Sequence, residues 1–209
     1  MSLLVSSVGF EEKFLLRAFL RRGRSQISGV LLVKPLGDNE KVKKAIDSFN
    51  NLLKEVSVQL NILEINYLDY VSSVSSISKW IKSSKYTSFV LSLSSGMRIV
   101  NLEILSAFLI LDLNAEIEVE AESLEGVISW RIDEMVRKDF EEDDVKILLA
   151  IHEGEKSVSE ISRRVKIPVT TAWRKVNKLV DNYYIKKEGE QLSLTKKGEI
   201  FISIYNNFS

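Results

Sequence analysis

Short apolar runs alternate with longer stretches of helical period over the first part of the chain. Ser2–Val8 (SLLVSSV) reads as a buried strand that Gly9 breaks, and Phe10–Arg22 follows with Phe14, Leu15, Ala18 and Phe19 at helical spacing. The alternation then repeats. Ile27–Val33, Ser57–Ile65 and Tyr86–Leu93 read as strands, and Asn39–Val56, Val71–Ser83 and Ile99–Leu113 as helices. Pro35 and Gly37 close the second strand. Ala115–Ala121 alternates apolar and acidic residues, the pattern of a half-exposed fifth strand, and Gly126–Trp130 is compatible with a sixth. Strands separated by helices of this length predict parallel βαβ units with helices on both faces of a sheet. Right-handed crossovers make a Rossmann-like, mostly parallel α/β sheet the natural solution. In such sheets ligands bind beyond the carboxyl ends of the strands, where the strand order reverses.

From about Ile132 the pattern changes and helices dominate. Phe140–Glu153 is amphipathic through Val145, Leu148, Leu149 and His152. Ser157–Val165 is a short helix, Lys166–Pro168 a turn and Val169–Asn182 a longer helix. Ile185–Thr195 folds back around Glu188-Gly189-Glu190, and Lys196–Asn206 is a last helix. This is the order of a winged helix-turn-helix. Pro, Gly and Ser are sparse over Ile132–Asp139, so the boundary is expected there as a helical connection, dividing the chain into domains 1–135 and 136–209.

The formal net charge of the 209 residues is +0, but the charge is unevenly placed. Lys156, Arg163, Arg164, Lys166, Arg174, Lys175, Lys178, Lys186, Lys187, Lys196 and Lys197 face only Glu160, Asp181, Glu188 and Glu190 in the same stretch. The balancing acids lie upstream, over Asp139–Asp144, near a helix start where the helix dipole favours them. Zero net charge thus hides a basic face of the kind that phosphate binding requires. Helical geometry places Ala172, Val176, Leu179 and Tyr183 on one buried side of Val169–Asn182, flanked by Trp173 and Val180. Thr170, Arg174, Asn177 and Lys178, with Thr171 nearby, are left to reach base edges and phosphates of double-stranded DNA in a major groove. The proposed wing tip is acidic, which moves the expected wing contacts to Lys186 and Lys187.

Other chemistry is sparse. Cysteine is absent, which excludes disulfides and thiolate metal sites. With no recognisable signal peptide and no apolar run of the roughly 20 residues that span a bilayer, a cytoplasmic protein without a membrane partner is expected. The single histidine, His152, is expected in a core or capping role, and Glu116, Glu118, Glu120 and Glu122 on the solvent face of a strand. No metal constellation, cofactor motif or catalytic set stands out, and neither a GxGxxG nor a Walker A pattern is present. Two strand-end loops are the ligand candidates: Val8, Gly9 and Phe10 after the first strand, and Ser94, Ser95, Gly96, Met97 and Arg98 after the fourth. Both offer small residues and backbone N–H groups at a helix start, suited to anions, and Arg98 adds a bidentate phosphate donor.

The segment PVTTAWRKVNKLVDNYYI…LSLTKKGEIF resembles the recognition-helix-and-wing region of bacterial and archaeal winged-helix regulators. With SSGMR at Ser94–Arg98, VGF at Val8–Phe10 and this domain order, nearly the whole chain resembles the CRISPR-associated Rossmann-fold (CARF) transcriptional regulators of archaea. The resemblance implies a homodimer whose sensor pair forms a two-fold cleft for a cyclic oligoadenylate, often cyclic tetra-adenylate. It also implies winged helices that act on promoters of CRISPR genes. The apolar character of Ile99–Leu113 fits either a dimer face or a doubly covered sheet. Some CARF domains cleave their own ligand without a metal, by in-line attack of a ribose 2′-hydroxyl, a step Ser95 and Arg98 could assist. A sensor or oligomerisation module that sequesters a partner is the third reading.

Overall fold

The computed structural model describes residues 2–10, 12–37, 39–121, 123, 125–136 and 140–206. The chain divides into two compact units, residues 1–132 and 133–209. The first is built from β1 (Ser2–Ser7), α1 (Lys13–Gln26), β2 (Ile27–Pro35), α2 (Glu40–Glu55), β3 (Gln59–Ile65), α3 (Tyr70–Ser83), β4 (Ser88–Ser92), α4 (Arg98–Ile110), β5 (Glu116–Glu120) and β6 (Val127–Arg131). The six strands run in the order β3-β2-β1-β4-β5-β6, all parallel except β6, which pairs antiparallel to β5. The predicted Rossmann-like sheet is therefore present, and the strand order reverses between β1 and β4.

That reversal puts the crossover helices on opposite faces. α1 and α2 bury Leu15, Ala18, Phe19, Ile46, Phe49 and Leu53 against Leu4, Val30, Leu32 and Val90, with Phe19 and Phe49 edge to face at 6.2 Å. α3 and α4 bury Val74, Ile77, Ile81, Val100, Ile104, Ala107 and Phe108. A doubly covered sheet accounts for this half of α4. It does not account for Ile99, Leu102, Leu109 and Ile110, which recur along the outer side of the same helix and are 41%, 63%, 40% and 67% exposed. Among the described residues no helix is long and apolar enough to cross a membrane.

The second unit holds α5 (Glu142–His152), α6 (Val158–Val165), α7 (Val169–Asp181), the hairpin β7 (Ile185–Glu188) and β8 (Gln191–Leu194), and α8 (Lys196–Asn206). Ser157 caps α6 in a capping box with Glu160, and Lys166 ends it in the left-handed region (φ 62°). The Ser162 hydroxyl donates to the Ile167 carbonyl at 2.7 Å, which sets the turn into α7. The core gathers Ile147, Leu148, Ile151, Ile161, Val176, Leu179, Tyr184 and Leu192. Phe140 stacks on Phe201 at 4.2 Å and meets Tyr184 edge to face at 4.5 Å. His152 is not in this core. It is exposed at the last turn of α5.

The acidic side of β5 departs from the sequence expectation. Glu118 and Glu120 are 4% and 3% exposed and face α1, not solvent, and Glu122 lies outside the described residues. Arg22 donates to Glu118 Oε1 (2.8 Å from Nε) and Glu116 Oε2 (2.9 Å from Nη1). Arg21 reaches Glu120 at 2.7 Å and Glu118 at 3.2 Å, and Arg17 lies against Glu120. The period-2 pattern separates the two faces of β5 correctly. Only the tertiary position of α1 turns the acidic face into an interior one, and burial of those charges requires the arginines as partners. The hydrogen bond from Arg22 holds the Glu116 carboxyl below the usual glutamate range and raises the Arg22 guanidinium above its own. Replacing Glu118 by Ala removes one carboxylate partner from each of Arg21 and Arg22, which keep Glu120 and Glu116, and we expect a loss of roughly 1.5–3 kcal/mol by chemical denaturation, the range for hydrogen bonds to charged groups. Because the folded-state pKa of Glu116 is depressed, its contribution is complete above the ordinary glutamate value of about 4.3 and is lost as pH falls through the lowered one. A melting temperature that is flat on acidification below pH 4 would contradict this.

Candidate functional site

Two regions concentrate chemistry, one in each unit. In the first, the loops after β1 and β4 meet where the strand order reverses. Gly9 N–H donates to Ser95 Oγ at 3.2 Å, and the Ser7 hydroxyl lies against the Ser95 carbonyl and 2.7 Å from Asn101 Oδ1. Asn101, in the first turn of α4, donates from Nδ2 to the Leu93 and Ser95 carbonyls, both at 3.0 Å. Ser94 Oγ accepts from the Glu120 N–H at 2.8 Å, which ties the loop to β5. Gly96 sits at φ +70°, and a Cβ there would fall 2.3 Å from Ser7 Oγ and 2.9 Å from the Val8 carbonyl. The loop therefore needs glycine both for its backbone conformation and for this approach.

A cleft of about 650 Å³ opens above this contact. Its size falls within the range of about 300–1,000 Å³ usual for ligand pockets. Val8, Gly9, Phe10, Ser94, Ser95, Gly96 and Met97 line it, as does a wall the sequence reading missed: Phe14, Leu36, Gly37, Asn39 and Tyr67. The missed signal is the Pro35–Asn39 loop, a third strand end on the same edge of the sheet. Phe10 is 65% exposed, with Lys41 Nζ 5.9 Å from its ring centre. Lys34, also in the wall, is held by Glu64 at 2.9 Å and the Gly37 carbonyl at 3.0 Å. Arg98 is not among the lining residues. It opens α4, exposed, behind Met97, which provides no side-chain cap, so the first-turn N–H groups have no capping side chain. The Ser94 and Ser95 hydroxyls already serve the loop, so what the loop offers a ligand is backbone.

In the second unit, α7 buries Ala172, Val176 and Leu179 as predicted, together with Lys175. Tyr183 does not join them. α7 ends at Asp181, Tyr183 turns left-handed (φ 61°) and is 37% exposed, and Tyr184 takes the core position. Trp173 is 57% exposed, on the same side as Thr170, Arg174 and Asn177. The basic face is smaller than the sequence count. Lys175 and Lys197 are buried; Lys197 donates to the Asp133 and Asn182 carbonyls at 2.6 and 2.8 Å. Lys175 Nζ lies 2.7 Å from Glu141 and 3.3 Å from Asp144. Lys178 Nζ lies 3.5 and 3.3 Å from the same two carboxylates, and Lys186 is 3.2 Å from Glu188. Arg174 and Lys187 are exposed without an ion pair among the described residues, and Thr170 is exposed and Thr171 half-buried.

The acids at the start of α5 are held ionised by this arrangement. Burial pushes the Asp144 carboxyl up, but the Glu141 backbone N–H and the two lysines outweigh it and leave it below the usual range. The hydrogen bond from Lys175 lowers the exposed Glu141 likewise. Glu141 and Asp144 also form the capping box of α5, so one cluster ends that helix and pins the inner side of α7. Among the described residues no group of histidine, aspartate and glutamate side chains could hold a metal.

Comparison with known proteins fits both units. Residues 2–131 match the family described as the Csa3 CRISPR-associated Rossmann-like domain, and residues 144–209 match a winged helix-turn-helix family. No curated protein matches the chain. Among solved structures it is similar to Can2 from Sulfobacillus thermosulfidooxidans in complex with cyclic tetra-adenylate, at 10% identity and TM-score 0.48, over 100% of this chain and 66% of that one. It is also similar to protein VC1899 from Vibrio cholerae, at 10% identity and TM-score 0.46, over 96% of this chain and 64% of that one. A type III CRISPR defence DNA nuclease activated by cyclic oligoadenylate is similar at 15% identity and TM-score 0.43, over 63% of this chain and 20% of that one. The chain thus spans less than two thirds of these proteins, while the family match covers most of its own length. Sheet order, winged-helix order and both family matches agree, and the chain belongs to the Csa3 CRISPR-associated Rossmann-like family, with a winged helix-turn-helix behind the family's domain.

Proposed function

We propose that the protein is a ligand-responsive transcriptional regulator of CRISPR-associated genes. In this reading it binds a cyclic oligoadenylate, cyclic tetra-adenylate first among them, in the sensor cleft of a homodimer, and promoter DNA through the winged helix. The observation that carries the reading is the pairing of Gly9 and Gly96 at the strand-order reversal, beneath an open cleft with an uncapped helix start at its edge. Backbone N–H groups in that setting suit phosphate. The exposed aromatic ring of Phe10 offers a base a stacking surface. The outer side of α4, with Ile99, Leu102, Leu109 and Ile110, supplies the dimer face, and a two-fold axis there suits a ligand that is itself symmetric. We propose binding without cleavage. Ser95 Oγ, buried and accepting from Gly9, is committed to the loop, and Arg98 stands off the cleft, so neither is placed as a cleavage residue.

A titration with cyclic tetra-adenylate tests the sensor. Gly96→Ala should fold yet lose ligand affinity by at least tenfold, because the loop must shift off Ser7 and Val8. Arg98→Ala should keep ligand-free DNA affinity while weakening the ligand's effect on it, an effect of about 5- to 150-fold in typical coupled systems. Wild-type affinity in Gly96→Ala, or conversion of the ring to linear product by the wild type, would remove this reading of the cleft.

DNA titrations at several salt concentrations test the winged helix. Arg174→Ala should cost about 1–3 kcal/mol if the side chain reads a base edge, or lower the salt slope by about one if it meets phosphate. Lys178→Ala should cost less, since Glu141 and Asp144 already hold that ammonium. The ranking is reversed only if α7 meets DNA with its other side.

A further inference from the structure

We infer that Trp173 is a specificity-determining residue of the winged helix, one that reads the C5-methyl group of a thymine in the major groove. The inference rests on the DNA-binding reading above and deepens it. Trp173 is 57% exposed, a large aromatic surface to leave in water on a helix that buries Val176 and Leu179 and exposes the smaller Val169 at its first position. It lies three residues after Thr170 and four before Asn177, spacings that place all three on one side of α7, with Arg174 beside them. A tryptophan more than half exposed and flanked by polar readers matches a surface that covers an apolar group among hydrogen-bonding ones. In the major groove the thymine methyl is that apolar group.

The electrostatics of α7 point the same way. Lys175 is buried, and Lys178 is held by Glu141 and Asp144, so the helix commits little of its positive charge to phosphate. Asp181 stands exposed at the C-terminal end of α7, where it repels the backbone of a duplex, so the N-terminal half carries the approach. That half presents Thr170, Trp173 and Arg174, and Asn177 follows one turn later on the same side. Their chemistry reads methyl, methyl, guanine and adenine respectively. Asn177 on an adenine brings the paired thymine to the same groove, one helical turn from the indole, and a T·A pair beside a guanine is the predicted centre of the half-site.

The test uses the full-length protein and a duplex that it selects from a random-sequence library. Each thymine of the selected site is replaced in turn by deoxyuridine, which removes only the C5-methyl. Wild type, Trp173→Ala and Trp173→Phe are titrated against every duplex. We expect one thymine whose replacement weakens wild-type binding about fourfold, the factor that corresponds to burial of one methylene-sized group. The same replacement should leave Trp173→Ala unchanged and Trp173→Phe in between. Thermal melting and sedimentation of the variants report on fold and assembly. Equal sensitivity of wild type and Trp173→Ala at every thymine overturns the inference. So does a change of oligomeric state in Trp173→Ala, which would make the indole a protein contact. If the wild type selects no duplex, the winged helix does not bind DNA and the underlying reading fails instead.

Discussion

The first unit depends on the contact between two chain segments at the centre of its sheet. β1 and β4 are neighbours whose connections leave in opposite directions, so their carboxyl-end loops diverge above a common floor. Gly96 presses its backbone onto Ser7 and the Val8 carbonyl, where a side chain has no room. Asn101 closes the arrangement from the first turn of α4 by holding the Leu93 and Ser95 carbonyls. The cleft, the start of α4 and the exposure of Phe10 all follow from that junction. A side chain at Gly96 would separate the loops and move the helix start with them.

Charge in this protein is largely spent within each unit. On the sensor side Arg17, Arg21 and Arg22 neutralise the inward carboxylates of β5. On the winged-helix side Lys175 and Lys178 answer the acids that begin α5. Buried charges of either sign require such partners, because the desolvation cost of an unpaired ion exceeds what packing returns. The consequence for recognition is that α7 meets its target with few unpaired cations. In the recognition proposed above, selectivity rests on the shape and chemistry of a small set of side chains, Thr170, Trp173, Arg174 and Asn177, more than on bulk attraction to phosphate.

The outer side of α4 and the exposed face of α7 are both surfaces whose composition differs from an ordinary solvated helix. In α4 the difference is apolar, with Ile99, Leu102, Leu109 and Ile110 exposed along one side. In α7 it is one indole, with Val169 at the helix start, among polar groups. A regulator of the kind proposed needs both kinds of surface, one to pair sensors around a symmetric ligand and one to distinguish a promoter from other DNA.

Periodicity alone determined the alternation of strands and helices, the turn to a helical second half and the positions of the loops that follow β1 and β4. Local patterns decide these: the continuous apolar run of Leu3–Val5, the period-3.6 rows of Leu15–Phe19 and Val176–Leu179, and the glycines that interrupt them. Tertiary structure decided which side of a row is inside. The acidic residues of β5 alternate as a solvent face would, yet α1 covers them, because the fold brings residues about 95 positions apart together. Tyr183 belongs by helical count to the buried side and Trp173 to its flank, but α7 buries only a narrow arc and ends before Tyr183. Counting lysines gave the sign of the second unit's charge, whereas only the packing of α5 on α7 showed that Lys175 and Lys178 were already engaged. The third wall of the cleft, Leu36, Gly37 and Asn39 with Tyr67, needed the strand order as well, since no local pattern says which strand ends share one edge of a sheet.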